Sequence, residues 1–258
     1  MSLSPEEVER YARHIVLRGV GGPGQQRLKA SSLLVIGAGG LGAPVIAYCA
    51  AAGVGRIGIV DDDTVALSNL QRQILYQTSD VGAGKAAVAG ARAQALNPAI
   101  AVEVHAVRMT EENAAMIGGY DVIADCTDDP AARYVISDAA FRAAKPLVSA
   151  TVARFDGSVT VLKPYEAGTG GRPNPTYRCL FPEPPAAEAM ATCAEVGVLG
   201  PAAGVIGSLQ AVAALRTLLG EDTGLVGRLL LFDGRDMRFE TIAYEWDPAN
   251  PLTGTDAG

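Results

Sequence analysis

The sequence predicts a doubly wound α/β fold whose mostly parallel sheet continues into antiparallel C-terminal strands. Between Leu33 and Thr151, short apolar runs alternate with alanine-rich helical stretches, the rhythm of βαβ units. Gly37, Gly39 and Gly42 in LLVIGAGGLG close the first run and open the first helix of that series, the placement of a Rossmann-like phosphate loop. After Thr151 the pattern changes to the alternation of antiparallel strands, in GSVTVLKP, GRLLLFD and RFETIAYEW.

At the N-terminus, Ser4, Pro5 and Glu7 stand in the order of N-cap, first helical position and capping-box acid. Val8, Tyr11, Ala12 and Ile15 follow at helical spacing, and Arg10 and Arg13 fall on the polar face. LLVIG, IGIVD, AVEVHAV, DVIADC and PLVSAT read as five strands. Helices are predicted over Leu41 to Ala52, Gly84 to Leu96, Glu111 to Ile117 and Pro130 to Ala144. Pro164 to Glu195 contains six prolines and no clear periodicity, which marks a long loop of the kind that serves as a lid, a binding loop or a disordered segment. Val196 to Leu219 reads as one long apolar helix. The expectation is one unit over 1–258: a helical arm (1–30), a nucleotide-binding half (31–151), a mixed-sheet half (152–246) with the loop at 164–195, and a tail (247–258).

Composition narrows the partners. With 21 basic and 28 acidic residues the net charge is −7, so no basic field exists for nucleic acid or an anionic membrane. The 4 cysteines form no C-x-x-C pair, which fits reduced thiols in a cytoplasm. The charged N-terminus has no apolar h-region. Ala30 to Gly55 and Val196 to Leu215 carry no charge over spans long enough for a bilayer, but their glycines and prolines favour buried core elements. The chain is expected to be soluble and cytoplasmic.

The glycine loop and the helix after it offer amides at a positive helix end, with Pro44 tolerated in the first turn. Asp61 lies 19 positions after Gly42, where a carboxylate accepts bonds from ribose hydroxyls, and Asp63 belongs to the same acidic turn. Ribose is common to NAD and ATP, so these residues leave an oxidoreductase open. SNLQRQ (68–73) and Lys85 lean toward ATP. A lysine at a helix start opposes the helix dipole unless an anion sits nearby, and Arg72 with Lys85 would clamp a leaving pyrophosphate. A dinucleotide rests its pyrophosphate mainly on loop amides.

RYARHIVL, GAGGLGAPV, DDDTVALSNLQRQ, VGAGK, DCTDD, YRCLFPEPP, TCAEVGVLGP and GVIGSLQA occur in this order from about residue 9 to about residue 245. As an ordered set they resemble the ThiF/MoeB family, relatives of the ubiquitin-activating enzymes that adenylate the C-terminal glycine of small ubiquitin-like sulfur carriers. The resemblance implies that Gly39 and its neighbours Gly37, Gly40 and Gly42 line an ATP site, that Asp61 holds the ribose, and that Asn69, Arg72, Gln73 and Lys85 surround the phosphates. It implies that Asp128 in DCTDD lies at a Mg²⁺ ion and the α-phosphate, and that Arg13 enters the ATP site of a homodimeric partner. It further implies a carrier ending in Gly-Gly and a separate sulfur donor, since no sulfurtransferase domain follows in this sequence. Thiamine, molybdopterin and other sulfur routes stay open, as does adenylation of another carrier or a peptide.

The sequence departs from the family pattern at the zinc pairs, at Asp129 and at His14, which stands where the family usually has Gln. The family's two C-x-x-C zinc pairs read here as Thr176 with Cys179 and as Asn250 with Thr253, so no zinc site is expected. Asp129 stands where the family has Asn, placing an extra negative charge beside Asp128. Cys193 in TCAEVGV occupies the place of the crossover-loop cysteine that bonds covalently to the carrier in some members; the alternative reading is packing.

Overall fold

The computed structural model describes residues 2–168, 171–183 and 197–254. Helix α1 (Pro5–Arg10) begins at the expected capping box: Glu7 N donates to Ser4 Oγ (3.2 Å) and Ser4 N to Glu7 Oε2 (2.7 Å). The amphipathic stretch then breaks at Tyr11 and resumes as α2 (Ala12–Ile15). Tyr11 is buried, and its hydroxyl accepts from Asn97 Nδ2 at 2.8 Å, a tertiary tie that interrupts the helical period. A third helix, α3 (Gly21–Ala30), was not expected from its Gly-Gly-Pro-Gly opening. Its proline sits in the first turn, where no intrahelical donor is lost, and the helix is anchored by buried Leu28 and by Gln25 Nε2 donating to Ala52 O (2.8 Å).

The sheet contains β1 (Ser32–Ile36), β2 (Arg56–Val60), β3 (Ala101–His105), β4 (Val122–Asp125), β5 (Leu147–Ala153), β6 (Asp156–Leu162), β7 (Arg228–Asp233) and β8 (Arg238–Ala243). Their order is β3-β2-β1-β4-β5-β6-β7-β8. The pairs from β3 to β5 are parallel, and β5–β6, β6–β7 and β7–β8 are antiparallel. The predicted change of rhythm after Thr151 thus falls on β5, whose parallel partner is β4 and whose antiparallel partner is β6.

Helices α4 (Gly42–Ala51), α5 (Lys85–Leu96) and α8 (Gly200–Leu219) supply one core layer, in which Ile46, Ala89 and Ile206 meet Val35, Ile57 and Val148 of the sheet. Helix α6 (Pro130–Arg142) and the 3₁₀ turns Ala114–Gly119 supply the other, with Ile117 and Ile136 joining Leu34, Ile123 and Leu147. Where the sequence predicts an α-helix over Glu111 to Ile117, the chain forms a 3₁₀ segment that ends in the Gly118-Gly119 pair. Helix α8 is long and apolar enough to cross a bilayer, but it packs on α4, β5 and β6. Its fully buried Gln210 donates to Asp125 O (2.7 Å) and Val148 O (3.0 Å), which fixes it to the sheet as a core helix.

The chain runs outward from β1 to β3 and then returns to the other side of β1 with β4. The strand order therefore reverses between β1 and β4. In open α/β sheets the crevice at the carboxyl ends of the strands flanking that point binds ligands.

Candidate functional site

A cleft of about 890 Å³ opens at this reversal point. Its floor is the glycine loop, whose glycines have separable tasks. Gly37 adopts φ +94°, and a Cβ there would lie 2.8 Å from Cys126 O. Gly42 lets α4 close onto the loop, since a Cβ would lie 2.0 Å from Gly37 O. Gly39 and Gly40 line the cleft itself. A Cβ on Gly39 would meet only Gln73 Nε2, at 3.5 Å, so the open side of the loop faces the space a ligand would take. Tyr76 Oη donates to Ala38 O (2.7 Å) and steadies the loop from beneath.

Asp61 directly follows β2 and turns toward the same floor, where Oδ2 accepts from Ala38 N (2.7 Å) and Oδ1 from Asp63 N (2.9 Å). Burial is the strongest influence on its carboxyl and lifts its pKa above the ordinary value, against the pull of the Ala38 amide and Lys85. Lys85 is the first residue of α5; its buried chain places Nζ 2.7 Å from Asp63 Oδ2. The anion that the sequence demanded beside this lysine is thus Asp63, itself on the cleft wall.

The SNLQRQ segment leaves a single 3₁₀ turn (Leu67–Asn69) and continues as a tight turn. Asn69 Oδ1 accepts from Ala66 N (3.0 Å) and Asn69 O accepts from both Arg72 N and Gln73 N (3.0 Å each), which directs Arg72 and Gln73 inward. Across the floor, β4 runs into the loop of Asp128 and Asp129. Asp129 Oδ1 caps α6 by accepting from Ala131 N (2.9 Å). Asp128 is exposed in the cleft and accepts no hydrogen bond among the described residues.

Gly37, Gly39, Gly40, Asp61, Asp63, Asn69, Arg72, Gln73, Lys85 and Asp128 line one cleft. Gly42 lies behind the wall as a packing residue. Arg13 is exposed on α2 and lies outside the cleft of its own chain. Cys193 lies outside the described residues. Cys49 and Cys126 are buried core residues, and burial pushes the Cys49 thiol up to about 12.

Sequence reasoning missed two cleft arginines. Arg133 is buried on α6: Nη1 donates to Ala150 O (3.0 Å), Nη2 donates to Thr127 O, and Nε lies 3.7 Å from Asp125 Oδ2. Its position four residues into a helix that begins beside Asp128 was the available signal. Arg108 donates to Asp129 Oδ2 from the segment after β3; only the strand order brings these two residues together. The ends of the crossover loop also reach the cleft. Tyr134 Oη donates to Phe181 O (3.1 Å) and Glu183 O (2.8 Å), and Val198 bridges to Arg154 on the far side.

The residues fit a nucleotide with a hard cation. Gln73 Oε1 is buried beside the glycine loop and is the unpartnered buried side-chain acceptor among the described residues; a ribose hydroxyl or a metal-bound water would satisfy it. The free carboxylate of Asp128 suits Mg²⁺. At the family's zinc position the residues do not fit a metal. Thr176, Cys179, Asn250 and Thr253 offer one thiol where a tetrahedral site needs four N/S ligands.

These four residues are instead joined directly. Buried Asn250 donates through Nδ2 to Thr176 Oγ1 (2.7 Å) and Cys179 Sγ (2.9 Å), and its Oδ1 accepts from Leu252 N (2.8 Å) and Thr253 N (3.1 Å). A hydrogen-bonded knot thereby ties the tail to α7 (Tyr177–Leu180). Asn250→Ala is expected to lower stability by about 1–3 kcal/mol in chemical denaturation, because it strands buried Thr176 and the half-buried Cys179, Leu252 and Thr253. The unfolding midpoint of the unmodified chain is expected to be indifferent to a strong chelator; a chelator-dependent fall would restore a metal to this position.

The ThiF family model matches residues 11–252. The sulfur carrier protein adenylyltransferase of Thermus thermophilus is 46% identical over 257 residues, covering 99% of this chain and 94% of that protein. The SAMP-activating enzyme E1 of Haloferax volcanii is 43% identical over 255 residues, covering 98% and 92% respectively. Among solved structures, E. coli MccB with ATP superposes with a TM-score of 0.81 at 19% identity, over 95% of this chain and 74% of that one, a likeness of fold.

Proposed function

The chain belongs to the ThiF family and is an adenylyltransferase of sulfur carrier proteins, and on that premise we propose how its cleft does the work. The substrate is the C-terminal glycine carboxylate of a small ubiquitin-like carrier ending in Gly-Gly. A carboxylate oxygen attacks the α-phosphorus of ATP, the bond from that phosphorus to the oxygen bridging to the β-phosphate breaks, and pyrophosphate leaves with the electron pair. The products are an acyl-adenylate and pyrophosphate. No general base is required, because the nucleophile is ionised at neutral pH. Catalysis then reduces to positioning and charge neutralisation.

The loop amides at the start of α4 receive phosphate oxygens, and Asp61 accepts from the ribose. Asn69, Arg72, Gln73 and Lys85 surround the phosphates. Asp128 would hold Mg²⁺, which when bound neutralises charge on the phosphate oxygens. The observation that carries this reading is the convergence of Arg72 and Lys85, set 13 positions apart on different elements, beside the glycine loop in one cleft. A dinucleotide site needs no such pair, which sets the oxidoreductase alternative aside.

The deciding experiment is ATP–pyrophosphate exchange with purified Gly-Gly carriers added one at a time. Exchange that depends on one carrier names the substrate. Exchange with a short peptide and with no carrier would move the enzyme to a specialised pathway. Absence of exchange with either would sink the reading.

The unit of action is a soluble, cytoplasmic homodimer in which each chain folds as one adenylation domain. A separate sulfur donor acts after adenylation. The exposure of Arg13 outside its own cleft favours its insertion into the partner's. Mixing inactive Arg13→Ala with inactive Lys85→Ala protomers is then expected to restore about a quarter of the unmodified exchange rate, since half of the dimers become mixed and each carries one intact site of two. If no activity returned while mixed dimers formed, Arg13 would act within its own chain.

A further inference from the structure

We infer that Arg108 is a positioning residue for the nucleotide, acting through Asp129 by cancelling a charge that would otherwise repel the phosphates. The inference rests on the proposed nucleotide cleft and concerns how that cleft tolerates a polyanion. The cleft is rich in carboxylates: Asp61, Asp62, Asp63, Asp128 and Asp129 all line it. Among its cations, Lys85 is engaged with Asp63 at 2.7 Å, and Arg133 faces buried Asp125 at 3.7 Å. Asp128 and Asp129 are adjacent, so the loop after β4 brings two negative charges to the end of the cleft where phosphates are to be held.

Arg108 answers one of them. It lies on the segment after β3, whereas Asp129 follows β4, and β2 and β1 stand between those two strands. With strands about 4.8 Å apart, the contact spans roughly 14 Å of sheet edge. The span is possible because the chain beyond β3 turns back over the strand ends. Met109, next in sequence, is buried in the same core cluster as Ile36, Val60 and Ala132. Asn113 secures the turn by donating through Nδ2 to Arg108 O (2.7 Å) and accepting at Oδ1 from Thr110 N (2.9 Å). The side chain of Arg108 is 64% exposed and that of Asp129 24%, so the pair sits at the rim, where its worth to folding is small. Its position matters more than its strength: it removes one net negative charge from beside Asp128.

The cap on α6 does not itself require the Asp129 charge. Asp129 Oδ1 caps α6, and an asparagine would cap equally well. Charge and cap are therefore separable by Asp129→Asn, and charge and contact are separable by a double variant.

The test is ATP affinity by calorimetry, with and without Mg²⁺, alongside KM and kcat for ATP in pyrophosphate exchange. Arg108→Ala is expected to weaken ATP binding and raise KM about 5- to 10-fold with kcat within twofold, and Asp129→Asn to tighten binding about 2- to 5-fold. Arg108→Ala with Asp129→Asn, which restores the original charge, is expected to return to the unmodified affinity. A double variant as weak as Arg108→Ala alone would mean that the guanidinium touches the nucleotide itself, and would overturn the inference. So would an affinity unchanged by Arg108→Ala. Binding of ATP without exchange for any carrier would sink the carrier reading while leaving the charge test intact, and an unmodified enzyme that binds no ATP would sink both.

Discussion

Lys85→Ala is expected to lower carrier-dependent pyrophosphate exchange by about 10²–10³-fold while leaving the melting temperature almost unchanged. The two halves of this expectation share one cause. Lys85 opens α5, where the helix dipole disfavours a cation, and Gly84 before it supplies no side-chain cap. The compensating anion, Asp63, has a side chain 67% exposed, so the pair adds little to the fold. A buried lysine chain at an uncapped helix start is a poor device for stability and a good one for holding an anionic ligand against the helix end. Thermal unfolding and exchange measured on the same preparation separate the two. Retention of exchange within threefold would remove Lys85 from the phosphate clamp, and a large loss of stability would make it a folding residue.

Most of the sheet was legible because strand periodicity is local. The eight strands are found within three residues of their apolar runs, since period-2 and buried patterns report directly on which side of each strand meets the core. What escaped the sequence was set by contacts from far away. The break at Tyr11 depends on Asn97, 86 positions distant, and α3 depends on the carbonyl of Ala52 and on the core around Leu28. Neither partner has any mark in the segment it controls.

The site divides in the same way. The glycine loop, Asp61 and Lys85 each violate or satisfy a local rule: a positive φ, a strand-end carboxylate, a cation at the wrong helix end. Each could therefore be singled out in isolation. Arg108 and Arg133 break no local rule. An arginine after a strand or within a helix is unremarkable until the strand order carries it to the reversal point, so these two become legible only with the topology. Asp63 lies between the cases: the sequence places it in the acidic turn beside Asp61, and only the structure pairs it with Lys85.

Arg133→Met is expected to destabilise the fold by about 3–5 kcal/mol, the usual consequence of leaving a buried charge without its partner, and to reduce exchange below what the loss of folded protein explains. Asp125 is fully buried and accepts from Ser149 Oγ (2.8 Å) and Thr127 N (3.2 Å), with Arg133 beside it. Burial is the largest influence on its carboxyl and raises its pKa in the fold, while Arg133 opposes that rise. A carboxyl with a raised pKa in the fold contributes stability at low pH, and that contribution is lost as pH climbs through the folded value. Removing Arg133 raises the folded value further. The deficit of Arg133→Met should accordingly be largest at alkaline pH and shrink as pH falls, as Asp125 takes up a proton in the variant before it does in the unmodified enzyme. A deficit independent of pH would place the cost in packing instead. Arg133 also fixes the loop that carries Asp128, because it binds Thr127 O while Asp125 binds Thr127 N. Asp125→Asn with Arg133→Met should therefore regain most of the stability without regaining exchange, since the charge imbalance is cured and the grip on Thr127 O is not. Recovery of both together would reduce Arg133 to a counterion; recovery of stability alone would make the buried pair the part of the core that sets where Asp128 stands.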